Sequence, residues 1–426
     1  MAGGTSSSTS TTLANTEAPQ GSYAVPLTLM VSLFFGIGFI TTMNDVLVAH
    51  FKDLFHLTNF LALLVQSAFF GAYFVMSAPA GRVVSRIGYQ SGIVVSLATI
   101  AFGLLLFLPA SRLILYPLFL FALFVIGSGL ALLQVAINPY VGALGPPETA
   151  ASRLNLCGFL NSLAGTLAPK VGAMFIFIAA GATAAQLAHS VQAPYMVLAA
   201  AAFLMAILTR FVHLPVLIAT EDKAAVKTGS AWDFRNLRFG AVGIFTYVGA
   251  EVALGSIIIN FLGQPSMGGL SHAEATHYVS LYWGGAMVGR LIGFFALQRV
   301  RAPRALAFVC VLAILCMAAA IFGHGPVAMW AVVSCGLFNS VMWPCIFPMS
   351  LEGLGRHTSQ GSGILVTMIV GGALIPPLQG VLADAFGYQR SFAIVLLCYV
   401  YLLYFALDGH KQTVASIATL PPPEVV

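Results

Sequence analysis

Long, unbroken apolar runs of about 20 residues or more recur along this chain, and ionisable residues almost never interrupt them. Only 7% of residues are charged and 59% are hydrophobic. A soluble domain carries roughly 25% charged residues, so this chain could not cover its own surface in water. Lipid can serve as the outer solvent. A helix needs about 20 mostly apolar residues to cross a bilayer, and only helices or closed barrels satisfy their backbone there. The runs are continuous, not alternating, which excludes a barrel and predicts an all-α polytopic membrane protein.

Spans are predicted near 26–50, 59–81, 90–109, 114–144, 151–180 and 193–213, then near 237–263, 271–298, 304–322, 326–351, 358–384 and 390–408. The predicted organisation is a disordered cytoplasmic tail (1–24), a six-helix bundle (25–213), a polar cytoplasmic linker (214–236), a second six-helix bundle (237–408) and a second tail (409–426). The first tail is Ser/Thr/Gly-rich and has no Lys or Arg, unlike a signal peptide.

Charge placement supports this map. With the N-terminus in the cytoplasm, thirteen of the 18 basic residues fall inside, among them Arg82, Arg86, Arg153, Arg299, Arg301 and Arg304. Three fall outside (Lys52, Arg112, Arg390), and Lys170 and Arg290 fall within spans. That asymmetry is the positive-inside pattern. The basic residues are dispersed, so the net charge of +5 is no nucleic-acid signal. The six cysteines lie in apolar stretches without a CxxC pair and read as packing residues, not a metal site.

The halves echo each other. Gly71-Ala-Tyr-Phe-Val-Met-Ser-Ala-Pro-Ala-Gly-Arg82 in span 2 parallels Gly285-Ala-Met-Val-Gly-Arg290 in span 8, and Asn138-Pro-Tyr ending span 4 parallels Phe347-Pro-Met ending span 10. Parallel six-span repeats suit a transporter whose halves rock about a central site.

Ionisable groups at membrane depth are costly and mark function. Asp45 in span 1 and Glu251 in span 7 are the two carboxyls deepest in the spans, one per half, and both are candidate proton carriers. Amides form a second set: Asn44, Gln66, Gln134, Asn138, Asn155, Asn161, Asn339 and Gln360. Tyr247 and Trp343 add aromatic faces. Amides match hydroxyl groups, and an aromatic face packs against a sugar ring, so the set suits a neutral polyhydroxylated solute. The same residues could serve as interhelical glue. Asn339 and Trp343, four residues apart, are expected on one face of span 10. Asn260 cannot share the face of Glu251 unless span 7 breaks near Gly255. No nucleophile, metal or phosphate motif points to an enzyme.

Residues 26–408 resemble the major facilitator superfamily, and within it the fucose–galactose–glucose:proton symporter family. The segments that carry the resemblance are Asn44-Asp45, Leu57-Thr-Asn-Phe60 with Gln66-Ser-Ala-Phe69, Leu133-Gln-Val-Ala-Ile-Asn-Pro-Tyr140, Arg153-Leu-Asn-Leu156, Tyr247-Val-Gly-Ala-Glu-Val252, Gly336-Leu-Phe-Asn-Ser340 and Thr358-Ser-Gln-Gly-Ser-Gly363. The resemblance implies a monomeric hexose carrier of the bacterial inner membrane, using alternating access, needing no cofactor and coupled to H+. It places Asp45 at the proton-coupling aspartate and Asn161 at a cavity asparagine of the L-fucose member. Gln134 and Trp343 depart from that member, where a glutamate and a tyrosine stand. The overall pattern is closer to the glucose/galactose or N-acetylglucosamine branch, which favours glucose or galactose. A sodium-coupled or uncoupled carrier of N-acetylglucosamine, mannose, fructose or fucose, and a non-transporting sugar sensor, stay open as alternatives. The orientation has a direct check: cysteines placed at positions 20 and 415 should both resist an impermeant reagent applied outside intact cells, and labelling of either would overturn the map.

Overall fold

The structure is a computed structural model describing residues 23–56, 59–176, 183–212, 214, 230–270 and 272–412. Among the described residues there are helices and no strand. The first half holds span 1 (Ala24–Leu54), span 2 (Asn59–Ile87), span 3 (Tyr89–Leu105, then Phe107–Leu113), span 4 (Tyr116–Ala143), span 5 (Ala150–Ile176) and span 6 (Gln192–Phe211). The second holds span 7 (Arg235–Leu262), span 8 (His272–Ala296), span 9 (Ala302–Phe322), span 10 (Gly325–Asn339, then Met342–Leu351), span 11 (Thr358–Thr367, then Gly371–Phe386) and span 12 (Tyr388–Tyr404). Ten described stretches are long and apolar enough to cross a membrane, and spans 2 and 5 complete the twelve-helix architecture. The tails and the linker predicted from the sequence fall mostly outside the described residues. Large apolar side chains such as Phe211, Phe308, Phe322 and Leu397 point outward and are exposed. In water such a surface would aggregate; against acyl chains it is the stable arrangement.

Helix ends carry unpaired carbonyls, and side chains from neighbouring spans satisfy them here. Arg153, nearly buried, donates to the carbonyls of Val141 (3.0 Å) and Pro146 (3.1 Å) at the end of span 4 and to Thr149 Oγ1 (2.7 Å). Asn236 does the same at the end of span 10, reaching Met349 (3.1 Å) and Glu352 (2.8 Å). Gln90 at the start of span 3 caps span 6 through Thr209 and Val212, at 2.8 and 3.1 Å. Gln389 at the start of span 12 caps span 9 through Ala320 and Gly323, at 3.1 and 2.8 Å. Both glutamines belong to a Gly-Tyr-Gln turn whose glycine, Gly88 or Gly387, sits at a φ of 82° or 86°.

The halves meet at the end that carries Arg82, Arg86 and the start of span 11. Spans 2 and 11 approach backbone to backbone there. A Cβ on Gly81 would stand 2.7 Å from the Ser359 carbonyl oxygen, and one on Gly363 would stand 2.7 Å from that of Ser77. Ser152 Oγ donates to the Phe294 carbonyl (2.6 Å), and Ser359 Oγ to Tyr89 Oη (3.2 Å). A fourth contact follows from a proline. Pro139 has no N–H, so the Val135 carbonyl one turn earlier loses its helical partner; Ser362 Oγ of the other half takes that place at 2.8 Å. Replacing Gly363 by Leu should therefore hold this end apart, since overpacking costs about 1–3 kcal/mol. A cysteine at position 362, buried in this structure, should then change from protected to reactive toward a thiol reagent.

Candidate functional site

Each half contains a polar clamp between its second and fourth spans. In the first half, Gln134 Nε2 on span 4 donates to Tyr73 Oη on span 2 (3.0 Å), and Tyr73 also hydrogen-bonds Thr41 on span 1. In the second half, Asn339 Nδ2 on span 10 donates to Tyr282 Oη on span 8 (2.9 Å), and Tyr282 donates to the Glu251 carbonyl on span 7 (3.0 Å). Tyr399 on span 12 closes the second chain by donating to Asn339 Oδ1 (2.7 Å). An amide from the fourth span of each half thus holds a tyrosine from the second, which reaches the first.

Asn339 is fully buried, and both its amide atoms are engaged by tyrosines. Trp343 follows one turn later. Pro344 cannot donate to the Ser340 carbonyl, and span 10 is interrupted between Asn339 and Met342. Trp343 stacks on Phe347 (ring centroids 5.4 Å, 26°) and lies 6.4 Å from the Tyr247 ring. It stays half-buried.

Tyr247 links two charged groups. Its hydroxyl hydrogen-bonds the Glu251 carboxyl one turn later and the Arg290 guanidinium from span 8. The other carboxyl oxygen, Glu251 Oε1, is buried with no hydrogen-bond partner among the described residues. Arg290 also crosses to the other half, donating to the Gly158 carbonyl (3.2 Å) and to Ser162 Oγ. Arg290 was left out of the candidate set drawn from the sequence. The signal was there: an arginine inside an apolar span, of which the chain has one other basic example, Lys170. Span 7 runs unbroken past Gly255, and Asn260 accordingly points outward and is exposed.

The remaining amides divide. Asn161 Nδ2 donates to the Phe34 carbonyl on span 1 (3.0 Å), where Gly38 lets the helices touch: a Cβ there would stand 2.2 Å from the Asn161 carbonyl oxygen. Asn138, one turn below Gln134, is buried with neither amide atom paired among the described residues, and Asn155 Oδ1 is likewise unpaired. A buried amide without partners costs about 1–3 kcal/mol, so spans 4 and 5 hold unused hydrogen-bonding capacity. Gln360 lies at the closed end, accepting from the Ala231 N–H of the linker at 3.2 Å. Asn44, Asp45 and Gln66 stand on described helix backbone in spans 1 and 2, but their side chains lie outside the described residues. Two clefts have other linings: about 350 Å³ between spans 9 and 10, and about 80 Å³ among spans 1, 3, 4 and 6.

The arrangement offers a buried carboxyl with an open oxygen, a guanidinium, a tyrosine and a half-buried indole, set between two bundles that touch at one end. It can bind a hydroxyl-rich solute and hold a proton. Comparison with known proteins agrees with this chemistry. The Major Facilitator Superfamily model matches residues 29–375. A glucose/galactose transporter of Brucella abortus is 48% identical over 412 residues, covering 96% of this chain and 100% of the relative. The L-fucose-proton symporter of Escherichia coli is 32% identical, covering 90% and 93%. The crystal structure of a Major Facilitator Superfamily transporter, FucP, in the outward conformation superposes with a TM-score of 0.83 at 32% identity, covering 92% of this chain and 100% of that one. Composition, twelve helices, repeated clamps and these likenesses together establish that the chain belongs to the Major Facilitator Superfamily, in its fucose–galactose–glucose:proton symporter family.

Proposed function

We propose that this protein imports a hexose, glucose or galactose, together with protons by alternating access in a bacterial inner membrane. Its two bundles (25–213 and 237–408) act as the rocking units, joined by a cytoplasmic linker (214–236) between cytoplasmic tails (1–24 and 409–426), and the monomer is the working unit. The observation that carries the reading is the Glu251–Tyr247–Arg290 group beside half-buried Trp343 in the second half, with Arg290 bonded across to span 5 of the first. The relatives named for glucose/galactose and for L-fucose with protons support a sugar and H+ as the cargo. The contacts between halves gather at the end assigned to the cytoplasm, so this is the outward-facing state.

Roles follow from the chemistry. Gln134, Trp343 and Tyr247 contact the sugar, with Asn44, Gln66, Asn138, Asn155 and Asn161 supplying further hydroxyl partners from the first half. Asn339 and Gln360 act on it through the helices they hold. Asp45 carries the proton, and Glu251 assists or binds sugar. The loaded carrier crosses between states cheaply only if Asp45 is neutral, because moving a bare carboxylate through low dielectric is expensive.

Three experiments follow. Gln134→Ala should weaken sugar binding about 5- to 150-fold, the effect of orphaning one buried hydroxyl. Asn339→Leu should instead lower thermal stability in detergent, since it strips a partner from both Tyr282 and Tyr399; unchanged affinity in the first and unchanged stability in the second would refute these assignments. Asp45→Asn mimics the protonated carrier and should keep sugar exchange while losing uptake driven by a pH gradient in proteoliposomes. Wild-type accumulation by that variant would end the proton assignment, and sodium dependence of the native protein would transfer it to the other cation.

A further inference from the structure

Arg290 is a cation inside the membrane whose hydrogen bonds cross from one half to the other. Gly158 and Ser162 stand one turn apart on span 5, so a carbonyl and a hydroxyl form a single seat for one guanidinium nitrogen. The seat has room because residue 158 is glycine. A Cβ there would lie 3.2 Å from Arg290 Cδ and 3.4 Å from Nε. On its own half the guanidinium meets the Tyr247 hydroxyl, which in turn holds Glu251. Span 8 is seated rigidly in that half: a Cβ on Gly289 would lie 2.4 Å from the Leu337 carbonyl oxygen of span 10. Arg290 therefore moves with the second bundle, while its seat belongs to the first.

The other contacts at the closed end differ in kind. Ser152 with Phe294, Ser359 with Tyr89 and Ser362 with Val135 are neutral pairs. A guanidinium parted from its partners at membrane depth has a far larger penalty. It can leave the span 5 seat only if something on its own side takes over its charge. Glu251, with one oxygen unpaired, is placed to do so. The ionisable groups around it are Tyr247 and Glu251 from span 7, Tyr282 on span 8 and Tyr399 from span 12.

We propose that Arg290 is the latch of the closed end, tying span 8 to the Gly158–Ser162 seat on span 5 and releasing that seat to Glu251 and Tyr247 when the end opens. The cation keeps partners in both states, so the halves separate without exposing a bare charge. This deepens the alternating-access reading and rests on it for the cycle, not for the contact. A neutral Glu251 leaves Arg290 on the seat and the end shut; an ionised one draws it away, so in this scheme Asp45 alone carries the proton inward and Glu251 serves on the sugar side.

The test is a distance measurement. Spin labels at Arg86→Cys and Arg356→Cys, exposed positions on opposite halves at the closed end, report separation in proteoliposomes without sugar. Arg290→Met should raise the long-distance population about tenfold or more, the effect of losing charge-assisted hydrogen bonds. Gly158→Leu fills the seat while leaving Arg290 and Glu251 in place, and should shift the population the same way; it also stands in if the Arg290 variant does not fold. Glu251→Gln should move it oppositely, toward the short distance, which a merely structural role would not do. Unchanged distributions for Arg290→Met and Gly158→Leu, or a shift of Glu251→Gln toward the long distance, overturn the latch. Failure of pH-driven hexose uptake by the native protein would refute the transport reading and leave these distances interpretable.

Discussion

The bond from an amide on the fourth span of each half to a tyrosine on the second organises this molecule. Lipid offers no partner to a buried polar atom, so each such group must be met from inside. Gln134 with Tyr73 and Asn339 with Tyr282 meet that demand between the same pair of spans in each bundle, though not at the residues the repeat aligns. Each bond pulls three spans together and sets the first span of its half, the one that carries Asp45 or Glu251. Pairs of this kind contribute little net energy between membrane helices, averaging about 0.6 kcal/mol. Their value is in register, because the alternative pairings leave a tyrosine hydroxyl stranded.

Much of this was legible in the sequence. Charge poverty, continuous apolar runs and the basic asymmetry were enough for twelve helices in two sets of six, because lipid solvation removes every other solution. The depth of Glu251 and the polarity of Gln134 were legible for the same reason. The family resemblance added the sugar and the proton.

What stayed hidden depended on deviations from ideal helices and on contacts across the fold. The spacing of four between Asn339 and Trp343 gave no sign that span 10 is interrupted between Asn339 and Met342. Span 11 is divided by the 3-10 turn at Met368–Val370. Gln360 looks toward the linker and Gly363 toward span 2. Arg290 passed as an unassigned basic residue because its seat is 128 residues away from it along the chain. No periodicity links such positions.

The two Gly-Tyr-Gln turns carry a consequence for how the chain is made. Gln90 is synthesised before span 6, so the carbonyls of Thr209 and Val212 find their cap already in place as that helix enters the bilayer. Gln389 comes after span 9, and the carbonyls of Ala320 and Gly323 must wait until span 12, the last to emerge from the ribosome, has begun. The first bundle can be sealed as it is translated. The second cannot close that helix end until span 12 has begun, so the two bundles complete their caps at opposite stages of translation.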